Sequence, residues 1–255
     1  MEIIVLGCWA PYPKAGGACS GYLLLAGGLN ILLEAGNGSL SRLSEFMDFR
    51  QLDGVIITHL HHDHYLDLFA LRHAVEGARR AGERSGPVRL FVPSFPEQAY
   101  QELAGYKDAY EVTSIESLTV ETIDEGLQAR LAWGGMVFHF VRAKHSVPAY
   151  SLAVEEQGRF VFSGDTARTE AIVRLAAGAD LFLCEASGLE SDAKHLRDTH
   201  LTARQAGEIA RQAGVKRLLL THFWPEYDPA ELCRQATGGF GKQALAAVER
   251  EIYQV

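Results

Sequence analysis

Two periodicities alternate along the chain. Short apolar runs bounded by Gly, Pro or Asn read as strands, and stretches with apolar residues three and four apart read as helices. Residues 3–6 predict a first strand that ends at Gly7 and gives way to a loop over 8–20 carrying Pro11, Pro13, Gly16 and Gly17. Residues 22–25 and 30–36 predict a hairpin across Gly27-Gly28. A short helix over 39–49 and a strand over 53–58 follow. The helix expected over 65–84 has Leu66, Phe69, Ala70 and Ala74 at helical spacing, with His73 as a packing or surface residue. Then come a strand at 88–92, a helix at 95–103 and strand-rich edge material over 111–123. In the second half, 132–143 reads as sheet, where alternation sets His139 on the face opposite Phe138 and Phe140, a structural position. Residues 151–155 and 159–163 predict a hairpin around Glu156-Gln157-Gly158, and 169–177 a helix. A strand at 180–184, a helix at 201–213, a strand at 217–221 and a closing helix at 242–252 complete the pattern. Two β-rich halves, each flanked by helices, predict an α/β fold in four layers, an αββα sandwich.

With 47% hydrophobic content, 255 residues can bury a large core, and no break in composition divides the chain, so residues 1–255 are expected to form a single domain. The start is too short and too acidic for a signal peptide, and no run approaches the roughly 18 apolar residues of a membrane span, so a soluble, cytoplasmic protein without membrane contact is expected. Cys8, Cys19, Cys184 and Cys233 show no C-x-x-C pairing and are expected as reduced thiols. A net charge of -8 argues against a large nucleic-acid footprint, although a local basic patch is compatible with it.

Chemistry concentrates in Thr58-His59-Leu60-His61-His62-Asp63-His64, directly after the β-branched run Val55-Ile56-Ile57. Neutral imidazole and carboxylate ligands at a strand end suit zinc or a similar ion. His59 and His61, two apart in extended chain, point the same way, and Asp63 and His64 can address a second ion at the turn. His62 alternates away and is not expected to ligate. A surface tract or tag is the plain alternative, but this tract is internal and fused to a core strand.

The six positions His59 to His64 fit H-x-H-x-D-H, and here the chain resembles the metallo-β-lactamase superfamily of binuclear metallohydrolases. The later ligands of that pattern follow in order at strand ends, as His145 after Phe138–Lys144, Asp165 after Phe160–Gly164 and His222 after Leu218–Thr221, so the likeness spans about two thirds of the chain. The resemblance implies the metallo-β-lactamase αββα fold and two divalent metal ions, zinc with manganese or iron tolerated. It assigns His59, His61 and His145 to one ion, Asp63, His64 and His222 to the other, and Asp165 as the bridge. It further implies a hydroxide held between the ions as nucleophile, with Asp63 orienting the water. Gly36-Asn37-Gly38 sits where relatives carry an Asp-x-G turn, and Asn37 is expected to be structural.

Leu183-Cys184-Glu185-Ala186-Ser187 and Thr199-His200-Leu201-Thr202 resemble the H-E-A-T and H-S-T motifs of the ribonuclease Z branch and its phosphodiesterase cousins, which makes Glu185 and His200 the candidate catalytic pair beside Asp63. A carboxylate that holds a histidine protonated suits it to protonating a leaving alkoxide; the plain alternative is that Thr199 or Thr202 caps a helix and His200 is incidental. Only 19 residues separate His145 from Asp165, which leaves no room for a tRNA-gripping arm, and Pro11-Tyr12-Pro13-Lys14-Ala15-Gly16-Gly17 lacks the Arg-Asn of that branch. The expectation is therefore a phosphodiesterase for a small or cyclic phosphodiester, with large RNA disfavoured. The alternatives are a carboxylic-ester, lactone or thioester hydrolase, a tRNA 3′-processing endonuclease, and a metal-holding binding or sensor protein. Homodimers are common among the proteins it resembles. Trp224-Pro225-Glu226-Tyr227 is expected to wall the pocket or to pack on the body.

Overall fold

In the computed structural model, which describes residues 1–123 and 126–255, the two periodicities resolve into two mixed sheets with helices outside them. The first half supplies β1 (Glu2–Gly7), β2 (Gly21–Ala26), β3 (Leu29–Ala35), helix α1 (Ser39–Phe46), β4 (Gly54–Ile56), the single turn α2 (His62–Tyr65), α3 (Leu68–Arg80), β5 (Val88–Val92), α4 (Glu97–Gly105) and β6 (Tyr110–Ser114). The second half supplies β7 (Thr119–Ile123), β8 (Gly126–Trp133), β9 (Met136–Arg142), β10 (Tyr150–Glu155), β11 (Arg159–Phe162), α5 (Glu170–Leu175), β12 (Leu181–Glu185), α6 (Ala193–Leu196), α7 (Ala203–Gln212), β13 (Arg217–Thr221), α8 (Pro229–Phe240), β14 (Ala244–Ala246) and β15 (Ile252–Gln254).

Each sheet starts as an antiparallel meander and continues in parallel strands. The first runs β15-β1-β2-β3-β4-β5-β6, parallel from β3 onward. The second runs β14-β13-β12-β11-β10-β9-β8-β7, parallel from β11 to β14. Strands buried on both faces read as unbroken apolar runs, and the period of two then sorts them: Ile3 and Val5 face the second sheet, while Ile4 and Leu6 pack with Leu43, Leu68, Leu71 and Val75 of the outer helices. The carboxyl ends of β4, β11, β12 and β13 gather at one edge of the sandwich, where open α/β sheets bind ligands.

Two expectations are corrected. The buried stripe of α3 is Leu68, Leu71, Val75 and Ala78, whereas Leu66 is 42% exposed. The chain breaks between α2 and α3, so a pattern phased from Leu66 starts on the wrong turn. The closing helix at 242–252 does not form; its apolar residues Leu245, Val248 and Ile252 are about half exposed and make no buried face. The helix lies earlier, at α8, with the Asp228 side chain accepting from Ala230 N–H, proline at its start and Gly241 in the left-handed region at its end. Residues beyond it instead add β14 to one sheet and β15 to the other. The strand-rich edge material expected over 111–123 is found at two sheet edges, with β6 closing the first sheet and β7 the second. The cysteines are free, and no helix among the described residues is long and apolar enough to cross a membrane.

Candidate metal centre

Local backbone geometry brings distant side chains to this edge. After β4, Ile57 N–H bonds Phe91 C=O and Thr58 C=O accepts Tyr150 N–H, which ties the His-rich turn to both sheets. Two glycines permit the crowding. A Cβ on Gly36 would lie 2.1 Å from Asp63 O, and Gly164, at φ +53°, turns under Thr58 to deliver Asp165. His222 and Glu34 take left-handed conformations at φ 59° and 60°, a strain typical of functional sites.

The seven expected ligands converge. His59 Nε2 and His145 Nε2 each lie 3.1 Å from His61 Nδ1, and His64 Nε2 lies 3.2 Å from His222 Nε2. Asp165 stands between the two groups: Oδ2 is 3.5 Å from both His59 Nε2 and His64 Nε2, and Oδ1 is 3.2 Å from His222 Nε2. Asp63 Oδ2 lies 3.5 Å from His64 Nε2 and 3.8 Å from His222 Nε2. His59, His61, His145 and Asp165 form one group that could hold an ion, and Asp63, His64 and His222 another. The histidines set aside in the sequence lie elsewhere: His62 is exposed and stacks on Tyr65, His139 faces Glu155, and His73 is exposed beside Arg72.

This donor set fits cations. His145 Nδ1–H donates to Thr199 C=O at 2.7 Å, which leaves the Nε2 lone pair facing the cluster. His222 Nδ1 is 2.8 Å from Ser187 Oγ, whose own proton goes to Glu185 Oε2, so Nε2 is again the nitrogen turned inward. Lone pairs about 3 Å apart repel unless a positive charge lies between them. Asp165 Oδ1 is buried and has no hydrogen bond, although His222 Nε2 is close.

Electrostatics divide the two groups. Burial holds His59 well below the usual histidine range and lowers His61 and His145, so all three offer neutral rings at pH 7. Burial also opposes charge on His64 and His222, but the carboxylates of Asp165 and Asp63 outweigh it, raising His64 well above its ordinary value and His222 to about 10. Asp165 itself is held well below the carboxylate range, its desolvation outweighed by the surrounding imidazoles. Without a cation, the carboxylates therefore favour a proton on His64 or His222, whose Nε2 atoms face each other at 3.2 Å. A cation taking those lone pairs must displace that proton. Titrating zinc into metal-free protein in weak buffer at pH 7 is expected to release protons with an equivalent taken by His64 and His222 and almost none with one taken by His59, His61 and His145. The affinity of the proton-releasing equivalent should rise with pH while that of its neighbour stays flat.

Behind the cluster lies a second network. His200 Nδ1–H donates to Glu185 Oε2 at 3.1 Å, Ser187 Oγ donates to the same oxygen at 2.5 Å, and Thr166 N–H donates to Oε1 at 2.6 Å. Burial presses the His200 proton off, but the Glu185 charge and hydrogen bond prevail and raise its pKa. The His200 ring stacks on His222 with centroids 5.5 Å apart, and its Nδ1 lies 3.9 Å from Asp165, so these three residues form a third ion-sized group. With Nδ1 committed to Glu185, His200 is better placed to handle protons than to ligate. Thr202 caps α7 in a reciprocal box with Gln205, so the capping alternative holds for Thr202 without displacing His200 from the site.

Two residues with no assigned role complete the site. Glu34, fully buried at the end of β3, accepts from Thr58 N–H at 3.1 Å and places Oε2 3.6 Å from His64 Nδ1. The acid beneath the cluster is thus Glu34, three residues before Asn37, whose carbonyl accepts from Cys19 N–H at 2.9 Å. A carboxylate closing a buried apolar strand needs a partner, and that was the legible signal. Ser187 links His222 to Glu185 and has no such signature. Lys14 stands 4.3 Å above the Trp9 ring, a packing position.

An αββα sandwich with a His/Asp cluster at the strand ends defines a class, and the sequence agrees: residues 29–223 match the beta-lactamase superfamily domain. The chain belongs to the metallo-β-lactamase superfamily, and its fold and cluster are those of a metallo-hydrolase. "Probable metallo-hydrolase YhfI" of Bacillus subtilis (strain 168) is 27% identical over 227 residues, covering 87% of this chain and 86% of the relative. The crystal structure of YhfI superposes with a TM-score of 0.88 at 25% identity, covering 99% of this chain and 98% of that one. The ribonuclease Z of Thermobifida fusca (strain YX) is 31% identical over 298 residues, covering 98% of this chain and 91% of the relative. A diphosphatase of the PhnP family shares the fold with a TM-score of 0.76 at 17% identity, over 100% of this chain and 97% of that one.

Proposed function

We propose that this protein is a binuclear metal-dependent phosphodiesterase acting on a small or cyclic phosphodiester. The observation that carries the reading is the Glu185–His200 pair placed against the metal cluster, with His200, Asp63, Asp165 and His222 lining one cavity of about 100 Å³. In this reading His59, His61 and His145 would hold one ion, Asp63, His64 and His222 would hold the other, and Asp165 would serve both. Zinc suits the ligands, and manganese or iron would be tolerated. Two such ions acidify a bound water and polarise a phosphoryl oxygen.

The remaining work falls to the chain's own groups. Asp63 would orient an attacking water or accept its proton. His200, kept protonated by Glu185, neutralises a phosphoryl oxygen or gives its Nε2 proton to the departing alkoxide. The small cavity and the short 146–164 connection, taken up by a turn, β10 and β11, favour a small substrate over a folded RNA. The ribonuclease Z relative and the PhnP-family diphosphatase support phosphate-ester chemistry in general.

The test is turnover by metal-reconstituted protein of bis(p-nitrophenyl) phosphate against a panel of lactones and thioesters, with a 3′-extended tRNA precursor alongside. Phosphodiester turnover is expected to dominate. Preference for the acyl panel, or cleavage of the precursor alone, would replace this reading, and hydrolysis of none would make the protein a metal-holding binder.

A further inference from the structure

The polar floor of the cavity is accounted for by the cluster and His200, but its mouth is not. Ala10, Pro11, Leu196 and Trp224 surround it, and no Lys or Arg is among its lining residues. Trp224 is 41% exposed and Tyr12 44%, with ring centroids 6.2 Å apart at 75°. Large rings left this bare beside a reaction centre retain apolar surface that a ligand can cover.

We infer that this mouth is a subsite for a flat, uncharged ring carried by the diester, with Trp224 as its platform and Leu196 and Pro11 closing on it. The inference rests on the phosphodiesterase reading and specifies what that substrate carries. The geometry is pre-formed on both sides. Trp224 follows the fully buried Phe223, whose N–H bonds Cys8 C=O and whose C=O accepts from Ala10 N–H, so indole and Pro11 loop are fixed to each other. Tyr12 donates from its hydroxyl to Glu226, bracing the indole from outside. On the far side Leu196 packs over Gly188, and its segment is held by Tyr227 donating to Asp192 at 2.9 Å and by Lys144 bonding Asp198 at 2.8 Å. A polyanionic chain would need cations along this wall. A single planar ring needs an aromatic face and apolar edges, and these are present.

The experiment measures binding of phenyl phosphate, adenosine 5′-monophosphate and ribose 5-phosphate to the metal-loaded protein by calorimetry. All three share the phosphate; only the first two carry a ring. Wild type is expected to bind at least one ring-bearing ligand about 5- to 150-fold more tightly than ribose 5-phosphate, the range for loss of one base–aromatic stack. Preference for phenyl phosphate alone assigns an aryl group, and preference for the nucleotide assigns a base. Trp224→Ala should abolish the preference while leaving ribose 5-phosphate affinity unchanged, and Trp224→Phe should restore most of it. No preference in wild type, or equal weakening of all three ligands by Trp224→Ala, overturns the inference. Failure of the function reading would show separately, as absence of phosphodiester turnover with the ring preference intact.

Discussion

Alanine in place of Asp165 is expected to empty both halves of the metal centre. Wild-type protein saturated with zinc and desalted should retain two equivalents by elemental analysis, and the variant well under one, with phosphodiester turnover lower by more than about 100-fold, beyond the 10- to 100-fold typical of losing an outer partner. The carboxylate is 2% exposed and reaches both groups, with Oδ2 toward His59 and His64 and Oδ1 toward His222. Its removal leaves five imidazoles around a neutral gap. Water can fill that gap but brings no negative charge to offset that of a bound dication. Asp63→Ala provides the contrast, because Asp63 touches only His64 and His222 among the ligands and its loss should release one equivalent and spare the other. Retention of two ions by Asp165→Ala, or a single ion in wild type, would contradict the bridging role.

The parts of this centre that were legible in the sequence are those whose position follows from a local rule. His59, His61 and Asp63 follow one strand in one short tract, and strand ends are where such folds place ligands. His145, Asp165 and His222 could be ordered along the chain by resemblance, but their convergence depends on the pairing of β9 through β13, which no local pattern encodes. The apolar run ending in Glu34 signals a carboxylate in need of a partner, but that partner is set by the parallel pairing of β3 with β4, which lays the end of one strand under the turn that follows the other. The same limit explains the misplaced last helix. Leu245, Val248 and Ile252 stand at helical spacing, but the free edges of β13 and β1 draw the segment into two sheets instead. On α3 the error was one of phase, introduced by the break after His64-Tyr65, where the metal-bearing turn ends.

Replacing His200 with alanine is expected to lower turnover of an alkyl phosphodiester by about 100- to 10,000-fold, the range for loss of a positioned general acid, with metal content unchanged. Two features of the site separate this outcome from that of Asp165→Ala. His200 Nδ1 is bonded to Glu185, and neither of the two principal ligand groups needs it. Its elevated pKa comes from Glu185, so Glu185→Gln should drop the imidazole toward neutrality and move the alkaline limb of the rate profile to lower pH. The sign follows from the charge: the acid is competent only below its pKa, and losing the carboxylate lowers that pKa. A leaving group that needs no proton should bypass the requirement, so p-nitrophenolate esters should suffer far less from His200→Ala than alkyl esters do. Metal loss in His200→Ala would make it a ligand of the third ion-sized group with Asp165 and His222, and equal losses on both classes of ester would remove its role as an acid.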